Sequence, residues 1–163
     1  MSDANTDLKA LSMQPLVQFV LNGQMFALPV AVVQEVQRPV SIHPVLGLPP
    51  ELPGVIDRHG QAVAVLDLRR RLNLSGQIGD DSPDAAFLLV TSKAHSLVLP
   101  VDRVIGVAHV PRTALFEPGA GWDCVRGIIR VSGILLTLLD VDQLPFAALE
   151  SLWSGIEATL PAP

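Results

Sequence analysis

GVIDRHGQAVAVLDLRRRLNL, residues 54–74, reads as strand, tight turn, strand and short helical turn. Val55 and Ile56 give the first strand a β-branched start. His59-Gly60 can form the turn, because glycine tolerates positive φ. Ala62 to Leu66 is an apolar run of strand length. Asp67 ends that run, and its carboxylate can cap the turn carrying Arg69, Arg70 and Arg71.

The chain repeats this unit. Residues 127–144 read GIIRVSGILLTLLDVDQL. Gly54 matches Gly127, Val55-Ile56 match Ile128-Ile129, Gly60 matches Gly133, and Val65-Leu66-Asp67 match Leu138-Leu139-Asp140. Upstream, Ala27-Leu28-Pro29-Val30 with Val33 and Val36 echoes Val98-Leu99-Pro100-Val101 with Val104 and Val107. Two copies of one all-β unit fit a pair of small barrels better than a solenoid, which needs more and shorter repeats.

Composition bounds the function. Of the 163 residues, 49% are hydrophobic and 17% charged, which excludes a disordered chain and supplies a core. The net charge of −5 argues against nucleic acid as a partner. No apolar run reaches the roughly 18–20 residues of a membrane span, since Arg130 interrupts the best candidate, so no direct membrane insertion is expected. MSDANTDLKALSMQP lacks the basic start and apolar block of a secretory signal. One cysteine, Cys124, excludes an internal disulfide. These features predict a cytoplasmic protein.

Taken in order, residues 1–14 read as a mobile tail. Leu16–Leu21 is a strand, Asn22-Gly23 a hairpin turn, and Met25–Val30 the return strand. Val32–Val36 follows, and the prolines of residues 39–53 favour extended loop over helix. Residues 75–84, SGQIGDDSPD, form a linker. Ala86–Thr91, Leu97–Val101 and Val104–Val110 are strands of the second copy. Residues 111–126 make a longer loop before the second central hairpin. Phe146, Leu149, Leu152, Trp153, Ile156 and Leu160 recur at helical spacing, which predicts an amphipathic helix over 145–160.

FVLNGQMFALPVAVVQEV followed by LPGVIDRHGQAVAVLDLRRRL resembles the CheW-like domain of bacterial chemotaxis. That family shows a strand pair, then V-x-E-V or V-x-E-I, then G-V-x-N-x-R-G and P-V-x-D-L-R. VDRVIGV, the Pro-rich loop and GIIRVSGILLTLLDVDQL continue the likeness, which covers residues 15–145. The resemblance implies an all-β fold of two tandem five-stranded SH3-like barrels (15–74 and 85–144) with a short C-terminal helix. It implies no catalysis and no cofactor. It implies an adaptor between the cytoplasmic tip of methyl-accepting chemotaxis receptors and the CheW-like regulatory domain of the histidine kinase CheA. With no receiver domain, kinase ATP site or transmembrane helix in the sequence, a stand-alone CheW-type coupling protein is expected.

There are departures. The family's Arg before the turn glycine is His59 here, its Asn two positions earlier is Asp57, and its Pro is Ala64. Histidine is shorter than arginine, is partly charged near neutral pH, and cannot reproduce a bidentate contact. Arg58 is adjacent, but strand alternation points it to the opposite face. A partner outside flagellar chemotaxis, such as a pilus-controlling array, is the alternative that these departures favour.

The resemblance places Val33, Glu35 and Val36 on a binding surface. The two valines recur as Val104 and Val107, as core residues would. Glu35 has no acidic echo, since Gly106 takes its place. Gly54, Arg58, His59 and Arg69 complete the candidate partner-binding set. The glycines also suit plain backbone geometry, Arg69 could instead pair with Asp67, and a basic run is most simply a solvated turn. Asp67 and Asp140 repeat, which suits turn caps better than a catalytic carboxylate pair. The scattered histidines 43, 59, 95 and 109 show no metal-ligand spacing. No nucleophile or phosphate-loop motif is present, and Gly119-Ala120-Gly121 is a weak phosphate cradle. Trp153 suits the core of the C-terminal helix, or a partner anchor. A ligand-binding or enzymatic tandem barrel would need convergent polar residues in one pocket.

Overall fold

In the computed structural model the described residues are 13–74, 82–111, 115–116 and 123–159. Most of the 1–14 tail, residues 75–81 of the linker, Gly119-Ala120-Gly121 and Leu160 lie outside them. Eleven strands are present among the described residues: β1 (Met13–Leu21), β2 (Gln24–Pro29), β3 (Val33–Gln37), β4 (Gly54–Arg58), β5 (Gln61–Val65), β6 (Ala86–Ser92), β7 (His95–Val101), β8 (Arg103–Pro111), β9 (Leu115–Phe116), β10 (Val125–Val131) and β11 (Ile134–Leu139). Two α-helices join them, α1 (Leu68–Arg71) and α2 (Ala147–Thr159), with 3-10 turns at Val30–Val32 and Val141–Gln143.

The hairpins follow from their turn residues. Asn22-Gly23, His59-Gly60, Lys93-Ala94 and Ser132-Gly133 each place two successive residues at positive φ. That geometry matches the right-handed strand twist of two-residue hairpins. Three of the pairs use glycine in the second position; Lys93-Ala94 does so without one. β1 begins three residues before the expected strand, because Met13, Gln14 and Pro15 pair with Pro111, Val110 and His109 of β8.

The strands form two sheets, in the orders β8-β1-β2-β11-β10-β9 and β3-β6-β7-β5-β4. We call them barrel A and barrel B. Neither coincides with a sequential half of the chain. β1 and β2 of the first copy sit with β8, β10 and β11 of the second, while β6 and β7 of the second sit with β3, β4 and β5 of the first. The division into 15–74 and 85–144 therefore describes the repeat and not the sheets. The exchange is symmetric. β2 meets β11 in parallel at Phe26↔Thr137 and Ala27↔Leu138; β7 meets β5 at Leu97↔Ala64 and Val98↔Val65, the matching residues of the repeat. The bulges match too: β3–β6 slips between Val33 and Glu35, and β1–β8 at the corresponding place. Barrel A has six strands rather than five because the two-residue β9 adds to β10.

Alternation along the strands builds separate interiors. Leu16, Ala27, Val110, Ile129, Leu136 and Leu138 fill barrel A. Ile56, Val63, Val65, Phe87, Leu89 and Val98 fill barrel B. A larger cluster lies between them, with Phe19, Leu21, Leu66, Leu68, Leu88, Leu97, Leu99 and Leu144, and with Leu149 and Trp153 from α2. α2 starts at Ala147, two residues after Pro145. Its stripe of Leu149, Leu152, Trp153 and Ile156 belongs to this shared core.

Both repeated aspartates are caps. Asp67 Oδ1 accepts from the Arg69 N–H at 3.1 Å, and Asp140 Oδ1 from the Asp142 N–H at 3.2 Å. The arginine run is solvated only at Arg70, whose side chain is 50% exposed. Arg69 is 4% exposed and its guanidinium is paired with Asp102. Asp102 also accepts from the Asn22 N–H at 2.8 Å, so this pair ties α1 to the β1–β2 turn. In the matching place of the repeat, Asp142 accepts from the Lys93 N–H directly at 2.9 Å. Arg71 donates to the carbonyls of Leu144 (2.7 Å) and Gln143 (3.0 Å), with its guanidinium over the Phe146 ring.

Candidate functional site

β3 and β4 are the two edge strands of barrel B. The sheet curls until these edges meet, and the Arg58 guanidinium donates to Glu35 Oε2 at 2.5 Å across the seam. Arg58 keeps the alternation of β4 and falls on the same side as Ile56. It is the last residue of β4, and His59 already stands in the left-handed region at φ 53°. Barrel A lacks this seam pair, because the matching positions are Gly106 and Val131.

Around the seam the candidates separate. Val33 is half-buried and packs on the shared core, while Val36, three residues on, is 47% exposed. Glu35 is exposed beside it. Gln34 Nε2 donates to Thr91 Oγ1 and Ser96 Oγ, fixing the bulged strand to β6 and β7. His59 is exposed at the tip of the β4–β5 hairpin. Asp57 Oδ1 accepts from the Gly60 N–H at 2.9 Å, a turn-holding role that asparagine and aspartate both perform. Ala64 is fully buried in β5.

Two candidates fall away. Gly54 is buried, and a Cβ there would stand 2.1 Å from the His43 carbonyl oxygen. That close approach exists because His43 and Val55 exchange backbone hydrogen bonds at 2.7 and 2.9 Å. Gly54 therefore serves strand packing and presents nothing to a partner. Arg69 is enclosed by its ion pair with Asp102 and is likewise no surface residue.

A cavity of about 400 Å³ opens beside the seam, lined by Arg58, His59, Gln61, His95, Trp153 and Glu157 among others. The His95 ring stacks on the Trp153 indole with centroids 4.4 Å apart, and its Nδ1 lies 3.2 Å from Glu157 Oε1. Trp153 Nε1 is buried with no hydrogen-bond partner among the described residues. Sequence reading placed Trp153 on the helix but could not bring His95 and Glu157 to it, because nothing local links a β-turn to a helix 62 residues away in the chain. Among the described residues no group of His, Cys, Asp and Glu is arranged to hold a metal ion. Cys124 is buried, and burial foremost, then Asp123 and Asp140, pushes its thiol pKa up against the pull of Arg71. No helix among the described residues is long and apolar enough to cross a membrane. The seam offers exposed carboxylate, guanidinium, imidazole and valine side chains, a surface suited to binding.

The CheW-like domain family matches this chain over residues 15–146. Among solved structures, the scaffolding protein TtCheW from Thermoanaerobacter tengcongensis superimposes with a TM-score of 0.78 at 22% identity, covering 84% of this chain and 95% of that one. A search of the curated proteins returns no match.

Proposed function

The chain belongs to the CheW-like domain family, a family of non-enzymatic chemotaxis scaffolds, and from that premise we propose that it joins chemoreceptor tips to the histidine kinase CheA. The observation that carries the reading is the barrel B seam. Glu35 breaks the internal repeat, is exposed, and is held in place by Arg58. A surface residue that departs from the repeat and is positioned by an ion pair is not explained by packing alone. Val36 adds an apolar contact on the same strand. In this reading the β3 edge and the β4–β5 hairpin receive the regulatory domain of CheA. A receptor hairpin lays an apolar helix face along the aliphatic surface between the barrels, a helix-in-groove mode. Coupling then acts through geometry, on the cytoplasmic side of the membrane, with no chemistry by the adaptor.

His59 favours a second pathway assignment. It stands where the family's arginine stands, and the guanidinium beside it, that of Arg58, reaches Glu35. A chemosensory system of non-flagellar output, such as one controlling pili, would match a partner surface altered in this way. The test is affinity capture against the regulatory domain of each CheA in the source genome, run beside co-sedimentation with receptor-tip assemblies. Capture of one kinase and one receptor class names the pathway. Capture of neither contradicts the adaptor reading.

A further inference from the structure

Barrel B carries a helix against one of its hairpins. α2 packs on β5, and Trp153, Ile156 and Glu157 share a cavity wall with Gln61 and Ala62. α2 is acidic on its flanks: Glu150 pairs with Lys93 and Glu157 with His95, each at 3.2 Å. In the repeat, β11 of barrel A corresponds to β5, so Ile134 and Leu135 stand where Gln61 and Ala62 stand. Here no described helix covers them, and they are 52% and 53% exposed. Leu135 lies directly opposite Arg130 on β10, and Ile134 opposite Val131. Arg130 and Arg126 are exposed, and neither forms an ion pair among the described residues. In barrel B the residue opposite Ala62 is Asp57. The hairpin of barrel A thus exchanges a polar and acidic tip for an apolar pair beside the uncompensated guanidinium of Arg130, with that of Arg126 farther along the same strand, on a chain whose net charge is −5.

We propose that the β10–β11 hairpin docks an amphipathic helix of a protein partner, with its apolar stripe on Ile134 and Leu135 and its acidic flank toward Arg130 and Arg126. The apolar pair selects aliphatic side chains, because burying it removes exposed hydrocarbon from water. The two arginines select carboxylates over ammonium groups. The helical form follows from the chain's own example, since an acidic amphipathic helix already occupies the matching strand of barrel B. The small apolar area assigns the contact to the weak, transient class. This surface is separate from the Glu35–Arg58 seam and does not depend on the partners assigned there.

The probe is a labelled synthetic helical peptide with a leucine stripe flanked by glutamates, beside an otherwise identical peptide flanked by lysines. Binding is read by fluorescence anisotropy and by amide shifts in the full chain. The glutamate peptide is expected to bind wild type and to shift amides of β10 and β11. Leu135→Ser is expected to weaken it about tenfold, or about 1.4 kcal/mol. Arg130→Glu is expected to reverse the preference between the two peptides. Unchanged circular dichroism and thermal unfolding show that each variant keeps its fold. Equal binding of both peptides, shifts confined to other strands, or no binding of the glutamate peptide overturns the proposal. Self-association of the wild type that is lost in Leu135→Ser assigns the patch to a second copy of this chain and overturns it as well.

Discussion

Glu35 and Arg58 sit on opposite edge strands of one five-stranded sheet and are joined by a 2.5 Å ion pair, so the contact between them marks where that sheet closes into a barrel. The side chains are 44% and 31% exposed. Solvent screens a pair this open, and its effect on stability is small. A double-mutant cycle over Glu35→Ala and Arg58→Ala, read by urea unfolding, is expected to give a coupling of about 0.5 kcal/mol. The pair's contribution lies in orienting the surface carboxylate.

Gly54 responds in the opposite way. Its φ of 150° is unfavourable for other residues, and an added Cβ meets the His43 carbonyl at 2.1 Å. Gly54→Ala must push residues 43–44 away from β4 and break the His43–Val55 bridge. The expected loss is at least about 3 kcal/mol by urea unfolding.

Ala94 is a site of correctable strain. It is exposed at φ 65° in the Lys93-Ala94 turn, where the other three hairpins use glycine. Ala94→Gly removes the left-handed penalty, and a gain of about 1 kcal/mol is expected in thermal or urea unfolding. Gly23→Ala should cost a similar amount, since Gly23 holds the matching position at φ 76°.

Much of this architecture was legible in the repeat, and the parts that were not have definite physical reasons. Matching apolar positions predicted two all-β units, and they do fill matching interiors, as Ile56 and Ile129 or Val65 and Leu138 illustrate. The exchange of β1-β2 with β6-β7 left no trace. Each hairpin presents the same face pattern to its own copy's remaining strands as to the other copy's, so alternation cannot distinguish them. The Arg58–Glu35 contact is not legible in the sequence, because it joins two strands that are sheet edges only once the sheet has curled. For Arg69 the sequence offers a partner surface or a pairing with Asp67, and neither names its actual counter-ion, Asp102, because that residue belongs to a distant turn. The exposure of Val36 against the partial burial of Val33 reflects the bulge between Val33 and Glu35, which a strict two-residue period misses.

The Arg69–Asp102 pair predicts an asymmetric result. Arg69 is almost wholly buried, whereas the Asp102 side chain is 29% exposed and also holds the Asn22 N–H. Asp102→Ala leaves a buried guanidinium without its counter-ion, and a loss of about 3 kcal/mol is expected. Arg69→Met leaves a carboxylate that water and the Asn22 N–H still serve, so its loss should be distinctly smaller. Urea unfolding of the two variants gives the order directly.

Cys124 supplies a pH signature. Burial favours the neutral thiol, so the folded protein keeps its proton to higher pH than the unfolded chain does. The unfolded state then binds fewer protons above the ordinary thiol pKa, and stability falls as pH rises through that range. A Cys124→Ser variant should lack this component of the alkaline decline. Modification of the native thiol by a disulfide reagent should be slow, should rise with pH beyond the ordinary thiol range, and should become fast on unfolding.

The most direct test of the central claim is calorimetric titration of the cognate CheA regulatory domain into wild type and Glu35→Lys, with thermal unfolding confirming that the variant keeps its fold. The adaptor account predicts a saturable heat for wild type and at least about tenfold weaker binding for the variant, because the lysine reverses the exposed charge and repels Arg58. Equal affinity in the two proteins, or no heat with wild type, contradicts the claim that the barrel B seam is the kinase-binding surface.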